Sequence, residues 1–396
     1  MNGAKKSPMY RFLMVLTIGS TIGLQSWLIL FNNFAVEDVG LTGKAVGMIQ
    51  SVREIPGFLT LLVVFVIMLL KEHRLSALSI VILGMGLACT GLFATYPGLM
   101  VTTLVMSFGF HYYETTNQSL TLQYFDEGTS PWVFGKLRSV AAASSIGAGV
   151  AIYLLTNLLS YAQIYLVIGG LIVISGIWGL GQNPTNQDLI PQHKKMIFRK
   201  KYWLYYFLNF MAGARRQIFM AFAVFLLVKK FHFSIQEVTI LFVVNNLINY
   251  FLSPLIGRAI IRFGERKVLS LEYSSMIVIF LVYATTESKI VVALAYILDH
   301  VFFNFAIAIR TFFQKIGDPK DIAPSMAVGF TINHIAAVFL PAIGGFLWMV
   351  DYRIPFIGGA CLSLVSLIAV QKMGKKGDVV DFLHKLKEEE PGSRGQ

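Results

Sequence analysis

Twelve apolar runs of 20 residues or more follow one another along the chain, at about 10–36, 44–70, 75–95, 98–124, 133–157, 161–181, 202–228, 235–261, 267–286, 290–314, 321–349 and 353–372. A helix needs roughly 20 apolar residues to cross a bilayer. The chain is therefore expected to be an all-α membrane protein of twelve transmembrane helices. Composition agrees: of 396 residues 56% are hydrophobic and 14% charged, with a mean hydropathy of +0.66, whereas a soluble domain is about 25% charged. The net charge of +12 would suit a nucleic-acid binder, but the basic residues sit between the apolar runs, as they do in the flanks of membrane helices. The expected partner is the lipid bilayer, not nucleic acid. Lys5, Lys6 and Arg11 precede a first run too long for a signal peptide and without a small-residue cleavage site, so it reads as a retained helix.

An even number of spans puts both termini on one side. The segments on that side carry most of the lysines and arginines between the runs, against Lys44, Lys229, Lys230, Lys289 and Arg353 on the other. Both termini are therefore expected in the cytoplasm, with the chain in the cytoplasmic membrane. The longest connection before the tail divides the chain into a six-helix bundle over 1–181, a loop over 182–201, a second bundle over 202–373 and a tail over 374–396. The halves read as copies. His111 and His300 are 189 apart, as are Gly128 and Gly317; Ile168-Gly169-Gly170 recurs as Ile357-Gly358-Gly359; Gln25 and Gln217 are 192 apart, and Glu72 and Glu265 are 193 apart. Parallel six-span repeats are an architecture of secondary transporters, with the substrate site between the halves near mid-membrane.

Several motifs carry a resemblance over all twelve spans. Gly257-Arg258-Ala259-Ile260-Ile261-Arg262-Phe263-Gly264-Glu265-Arg266-Lys267 is similar to the cytoplasmic loop motif of the major facilitator superfamily after its eighth helix, with Ile261 at the motif's aspartate position. Gly135-Lys136-Leu137-Arg138 resembles the Gly-x-x-Arg start of its fifth helix, and Pro341-Ala342-Ile343-Gly344-Gly345 with Tyr352-Arg353-Ile354-Pro355-Phe356 its eleventh-to-twelfth passage. The resemblance implies two pseudo-symmetric bundles, a cavity lined by helices 1, 4, 7 and 10, and a gating role for Gly257, Arg262, Gly264 and Arg266.

The residues point independently to those four helices. In the fourth run His111, Glu114, Gln118 and Thr121 form a polar stripe at helical spacing; in the tenth, Asp299, Phe303, Ala306 and Arg310 share a face, with His300 and Asn304 beside it. Arg215 and Arg216 lie near the middle of the seventh run, where an arginine costs at least about 2.5–3.5 kcal/mol. Successive residues point about 100° apart, so a broad polar surface is expected beside them. Away from the membrane ends the cations are Arg53, Arg215, Arg216 and Arg310, and the anions Glu54, Glu114 and Asp299. Arg310, about one turn from the cytoplasmic end, is placed to snorkel. Arg53 and Glu54, as neighbours, are expected to point apart and pair across helices, structurally or as a gate.

A guanidinium offers forked donors to a carboxylate, sulfonate or phosphate. The expected substrate contacts are Arg215, Arg216, Gln217, Gln25, Tyr112, Gln118, Phe303 and Asn304; Trp27 and Tyr113 are further aromatic candidates. Glu114 with His111, and then Asp299 with His300, are the expected proton carriers. No H-E-x-x-H, Walker loop or paired CxxC is present, so neither enzyme chemistry, metal nor cofactor is expected. The expected function is alternating-access transport of a small organic anion by a monomer with proton coupling. A drug–proton antiporter and a non-transporting sensor are the competing readings.

Overall fold

The computed structural model describes residues 5, 7–41, 43–185, 192–193, 195–233 and 235–374; the tail from 375, including its apolar helical spacing, lies outside them. The described chain runs as helical rods in series. The first half holds α1 (Pro8–Asp38), α2 (Gly43–Phe58, continued through Leu59–Leu62 to Val63–Leu69), α3 (Glu72–Thr90), α4 (Tyr96–Tyr124), α5 (Ser130–Leu155) and α6 (Tyr161–Leu180). The second holds α7 (Trp203–Ile218, continued through Phe219–Ala223 to Val224–Lys229), α8 (Ile235–Phe263), α9 (Glu265–Thr285), α10 (Lys289–Ile316), α11 (Ile322–Val350) and α12 (Arg353–Val370). Nine helical stretches among the described residues are long and apolar enough to cross a membrane. The others include α4, with its polar stripe, and α7, with its two arginines.

Three rods lose regular geometry midway. After Pro56-Gly57, α2 tightens into a 3-10 turn at Leu59–Leu62; after Arg215-Arg216, α7 widens into a π turn at Phe219–Ala223; α10 tightens at Asn304–Ala306. Such local changes of helical pitch are common at functional sites, and these three face the same central region.

Each half has its own apolar core. In the first, Trp27, Phe31 and Phe34 of α1 pack with Leu83, Leu87, Met106, Tyr165 and Ile172. Between membrane helices lipid removes most of the hydrophobic drive, and close packing at small residues replaces it: a side chain at Gly84 would strike the backbone of Val173 and Gly169. The second half has two clusters, one around Tyr202, Tyr205, Leu208, Leu269, Tyr273 and Phe313, the other around Phe222, Leu226, Phe280, Tyr283 and Phe356. The repeat is visible in the bonds: Glu72 at the start of α3 accepts from Gln123 at the end of α4 (2.7 Å), and Glu265 at the start of α9 pairs with Lys315 at the end of α10 (2.7 Å).

Both ends of the described chain lie at one end of the bundle. Tyr10 stacks on Trp132 at the start of α5, Pro131 meets Gly257 near the end of α8, Arg266 at the start of α9 bonds Gln371 beyond α12 (3.0 Å), and Lys372 lies over Trp203 at the start of α7. This is called the terminal end below. There the connection between the halves is fastened to the α10–α11 turn. Asp321, fully buried, accepts from His193 (2.8 Å), Arg199 (2.8 Å) and Tyr202 (2.7 Å), while Gln192 bonds Pro319 O (2.7 Å) and Ala323 N (2.9 Å).

Asp321→Ala is expected to cost about 1–3 kcal/mol, because it leaves donors unsatisfied; a denaturation series reads this. Burial pushes the Asp321 carboxyl up, but the bonds from Tyr202 and His193 and the Arg199 charge outweigh it, so its pKa is lowered overall. The stability it contributes is present above the ordinary carboxylate range near about 4. It is lost as the pH falls through the lower folded value, since the unfolded chain then binds more protons. A melting series at falling pH should show a drop that Asp321→Asn lacks.

Candidate functional site: the charged centre between the halves

The halves meet through α2 with α11, α5 with α8 and α10, and α4 with α10 and α11. All described hydrogen bonds that join them lie between mid-height and the terminal end. Thr331 accepts from Leu61 N (2.9 Å) and bonds Thr60 (3.1 Å); Ser139 donates to Tyr250 O (2.5 Å); Arg138 donates to Asn304 (2.9 Å). Nearest the terminal end, Gln314 of α10 donates to Leu122 O (2.7 Å) and Phe125 O (2.6 Å), the last carbonyls of α4, and accepts from Ser130 at the start of α5 (2.5 Å). One side chain of the second half thus caps two helices of the first. Gly135 and Gly257 allow α5 and α8 to touch, since a Cβ at either would overlap the facing backbone. Gln314→Ala is expected to weaken this seal by about 1–3 kcal/mol, read as faster thiol labelling of a cysteine placed at Ser130.

Above the seal lies the charge. Glu114 is half-buried on α4, with Gln118 one turn on, and its charged neighbours are Arg310 of α10, Arg138 of α5 and Arg216 of α7. Arg216 also faces Glu54 of α2. None of these three arginines, nor Glu114, takes part in a described ion pair. Arg138 sits about 12 Å along α5 from its start, at 1.5 Å per residue, yet it is solvent-exposed. It is held by Asn304 and lies over Phe303 (6.0 Å), while Arg310 lies over Phe134 (5.7 Å).

A second charged group belongs to the second half alone. Arg215, 4% exposed, donates to Glu272 of α9 (3.3 Å) and Ser366 of α12 (2.5 Å) and lies 4.4 Å from the Tyr273 ring. Beside it is a small hollow lined by Arg215, Arg216, Phe219, Glu272, Asp299 and Phe303, among others. Asp299 is buried on α10 with one oxygen unpartnered, as is His300 Nδ1, among the described residues.

Several sequence expectations change here. Arg215 is not a free cavity arginine but is tied to Glu272, an acid that the sequence reading left among the flanks. Arg53 and Glu54 do not pair across helices: they pair with each other (2.7 Å), the long arginine folding back, and Arg53 also lies over Trp27 (5.1 Å). Arg310 does not snorkel outward but faces Glu114. Trp27 and Tyr113 are fully buried in the first-half core, with Tyr113 bonded to Thr17 (2.8 Å). Tyr112 packs at the seam with Val63, Val64, Leu75 and Ala327. His111 packs against His334 of α11, ring centres 5.1 Å apart.

Other named residues are placed as follows. Asn304 is a hub, accepting from Arg138 and donating to Asn249 (2.6 Å) and His300 O (2.9 Å). Gln118 is buried with its amide nitrogen unpartnered. Gln25 and Gln217 are half-buried on α1 and α7. Gly264 joins α8 to α9 at φ +82°, a conformation that favours glycine. Arg262 is exposed and Arg266 is engaged with Gln371. Arg138, Glu272 and Gln314 were missed; for the first two the available signal was depth, eight and seven residues into their helices.

Comparison with known proteins gives the class. Residues 202–376 match the family model described as Major Facilitator Superfamily. The fold is similar to the human organic anion transporter MFSD10 (TETRAN), at 12% identity and TM-score 0.74 over 91% of this chain and 98% of that one. It is similar to FucP in the outward conformation, at 14% identity and TM-score 0.76 over 93% and 99%. A bacterial homologue of the iron transporter ferroportin in the outward-facing state has 12% identity and TM-score 0.75 over 92% and 98%. At these identities the likeness is one of fold. No curated protein sequence matches. The second half of the chain thus matches the family's model, and the whole described chain shares the fold of these solved membrane proteins.

Proposed function

We propose that this protein is a transporter of the major facilitator superfamily and carries a small organic anion, held between the halves by Arg138, Arg216 and Arg310. The observation that carries this reading is the imbalance around Glu114: three guanidinium groups lie within electrostatic reach of this one carboxylate, none in a described ion pair, while Arg53–Glu54 and Arg215–Glu272 are already paired. A cavity with surplus positive charge attracts an anion, and guanidinium forks fit a carboxylate, sulfonate or phosphate. Gln118 lies beside Glu114, and Asn304 and Phe303 beside Arg138; with Gln25 and Gln217 they would shape the rest of the cargo. A structural relative that carries organic anions is consistent with this reading, which rests on the charges.

In this reading the halves 1–181 and 202–373 rock about the seam, and Gln192, His193 and Arg199, tied to the α10–α11 turn, move with the second. The basic flanks put the termini in the cytoplasm, so the seal described here closes the cytoplasmic side and cargo arrives from outside or leaves to it. A proton is the proposed coupling ion, carried on Asp299: a proton satisfies a buried carboxyl oxygen that has no hydrogen-bond partner among the described residues. Glu114 is then the internal counter-ion that cargo displaces. Proteoliposomes with an imposed proton gradient test this. Counterflow of an organic anion, slowed by Asp299→Asn, is expected. Movement of lipophilic cations but of no anion would favour a drug antiporter and overturn the anion reading.

A further inference from the structure

Glu54 of α2, His111 of α4 and His334 of α11 bring one ligand atom each within 4.8 Å of one another. Two belong to the first half and one to the second, so the cluster straddles the seam. Both imidazoles are aimed. His111 Nδ1 faces Ser107 O (2.9 Å) and Ser107 Oγ (3.0 Å), and His334 Nδ1 faces Phe330 O (2.9 Å). A backbone carbonyl on Nδ1 fixes the proton there and leaves the Nε2 lone pair for another partner, as in ligating histidines. The rings are 4% and 3% exposed. Gly57 supplies the room: a Cβ there would stand 2.5 Å from His334 Cδ2 and 2.8 Å from His111 Nε2. Arg53 uses Oε1 of Glu54 for both of its hydrogen bonds, which leaves Oε2.

We propose that these three residues form a site for a divalent transition-metal ion of the zinc class, and that the ion staples α2 and α4 to α11 and holds the terminal end shut. Two imidazole nitrogens and one carboxylate oxygen form a ligand set for zinc, which takes four ligands in tetrahedral geometry; a water would complete it. Arg53 and Arg216 lie close to the same groups and oppose a cation. The site is therefore weaker than a closed structural zinc site and is loaded or emptied as the ion's concentration changes. Because α11 must part from α2 and α4 to open the terminal end, bound metal would arrest transport by holding these helices together. The proposal does not depend on what the cargo is.

The test uses the full chain, purified in detergent, with cobalt and zinc ions as probes. Cobalt is expected to bind one per chain with the intense visible absorption of a tetrahedral site, zinc to displace it, and zinc to raise the melting temperature. His334→Gln, which keeps volume and hydrogen-bonding capacity, is expected to weaken zinc binding tenfold or more and remove that melting shift. If His334→Gln does not fold, the cobalt spectrum of the native chain decides: tetrahedral absorption supports the site, and an octahedral aqua-like spectrum overturns it. Zinc binding unchanged in His334→Gln, or none in the native chain at millimolar metal, also overturns it.

Discussion

Arg216→Ala is expected to abolish transport while the protein still folds and inserts. Arg216 is half-buried and faces Glu54 and Glu114 across the space between the halves, and it takes part in no described ion pair. In the proposed reading its charge is left for cargo, and truncating a charged partner in such a site costs about 2–5 kcal/mol, roughly 30-fold or more in binding. Arg216→Lys keeps the charge but loses the fork, so it should recover only part of the activity. Transport rates beside a melting curve separate loss of function from loss of fold. A melting temperature unchanged and transport lost is the expected pair of results.

The neighbouring substitution should do the reverse. Arg215→Ala strands Glu272, which is buried and has no other described cation. Breaking a buried pair by removing one partner costs about 3–5 kcal/mol, so the variant is expected to express poorly and melt early. Removing both charges, as Arg215→Leu with Glu272→Leu, should restore much of the stability, because the orphaned charge goes with its partner. Low stability in the double variant, equal to that of Arg215→Ala, would show that Arg215 acts through something other than Glu272. Two adjacent arginines thus divide the work: one holds α7 to α9 and α12, the other faces the cavity.

That division was half legible in the sequence. Successive residues on a helix point about 100° apart, so one could foresee that the two arginines need different surroundings. Which of them is tied down depends on the partner helix, and Glu272 was passed over because it lies near the start of an apolar run. Arg138 was hidden in the same way: counted as a flank charge, it stands far enough into α5 to reach Asn304. The polar stripe of α4 was readable because polar groups at helical spacing in an apolar run are costly unless they meet other polar groups. The helical rods and the repeat were readable from run length and constant offsets, and the paired acids Glu72 and Glu265 occupy equivalent places. The Arg53–Glu54 pair was misread because two long side chains can bend back over one peptide. The Gln314 seal left no periodic trace, since its partners are backbone carbonyls on another helix.

The central claim is that surplus guanidinium charge between the halves receives an anion. The most direct measurement is a melting scan of the purified protein against small organic acids, organic phosphates, neutral sugars, nucleosides and lipophilic cations, run on the native chain and on Arg216→Ala. A ligand that binds the folded state alone raises its stability by about 2.7 kcal/mol at a hundred times its dissociation constant. An anion that stabilises the native chain and leaves Arg216→Ala unmoved is the predicted result. A neutral or cationic ligand that stabilises both proteins equally, with every anion inert, would contradict the account.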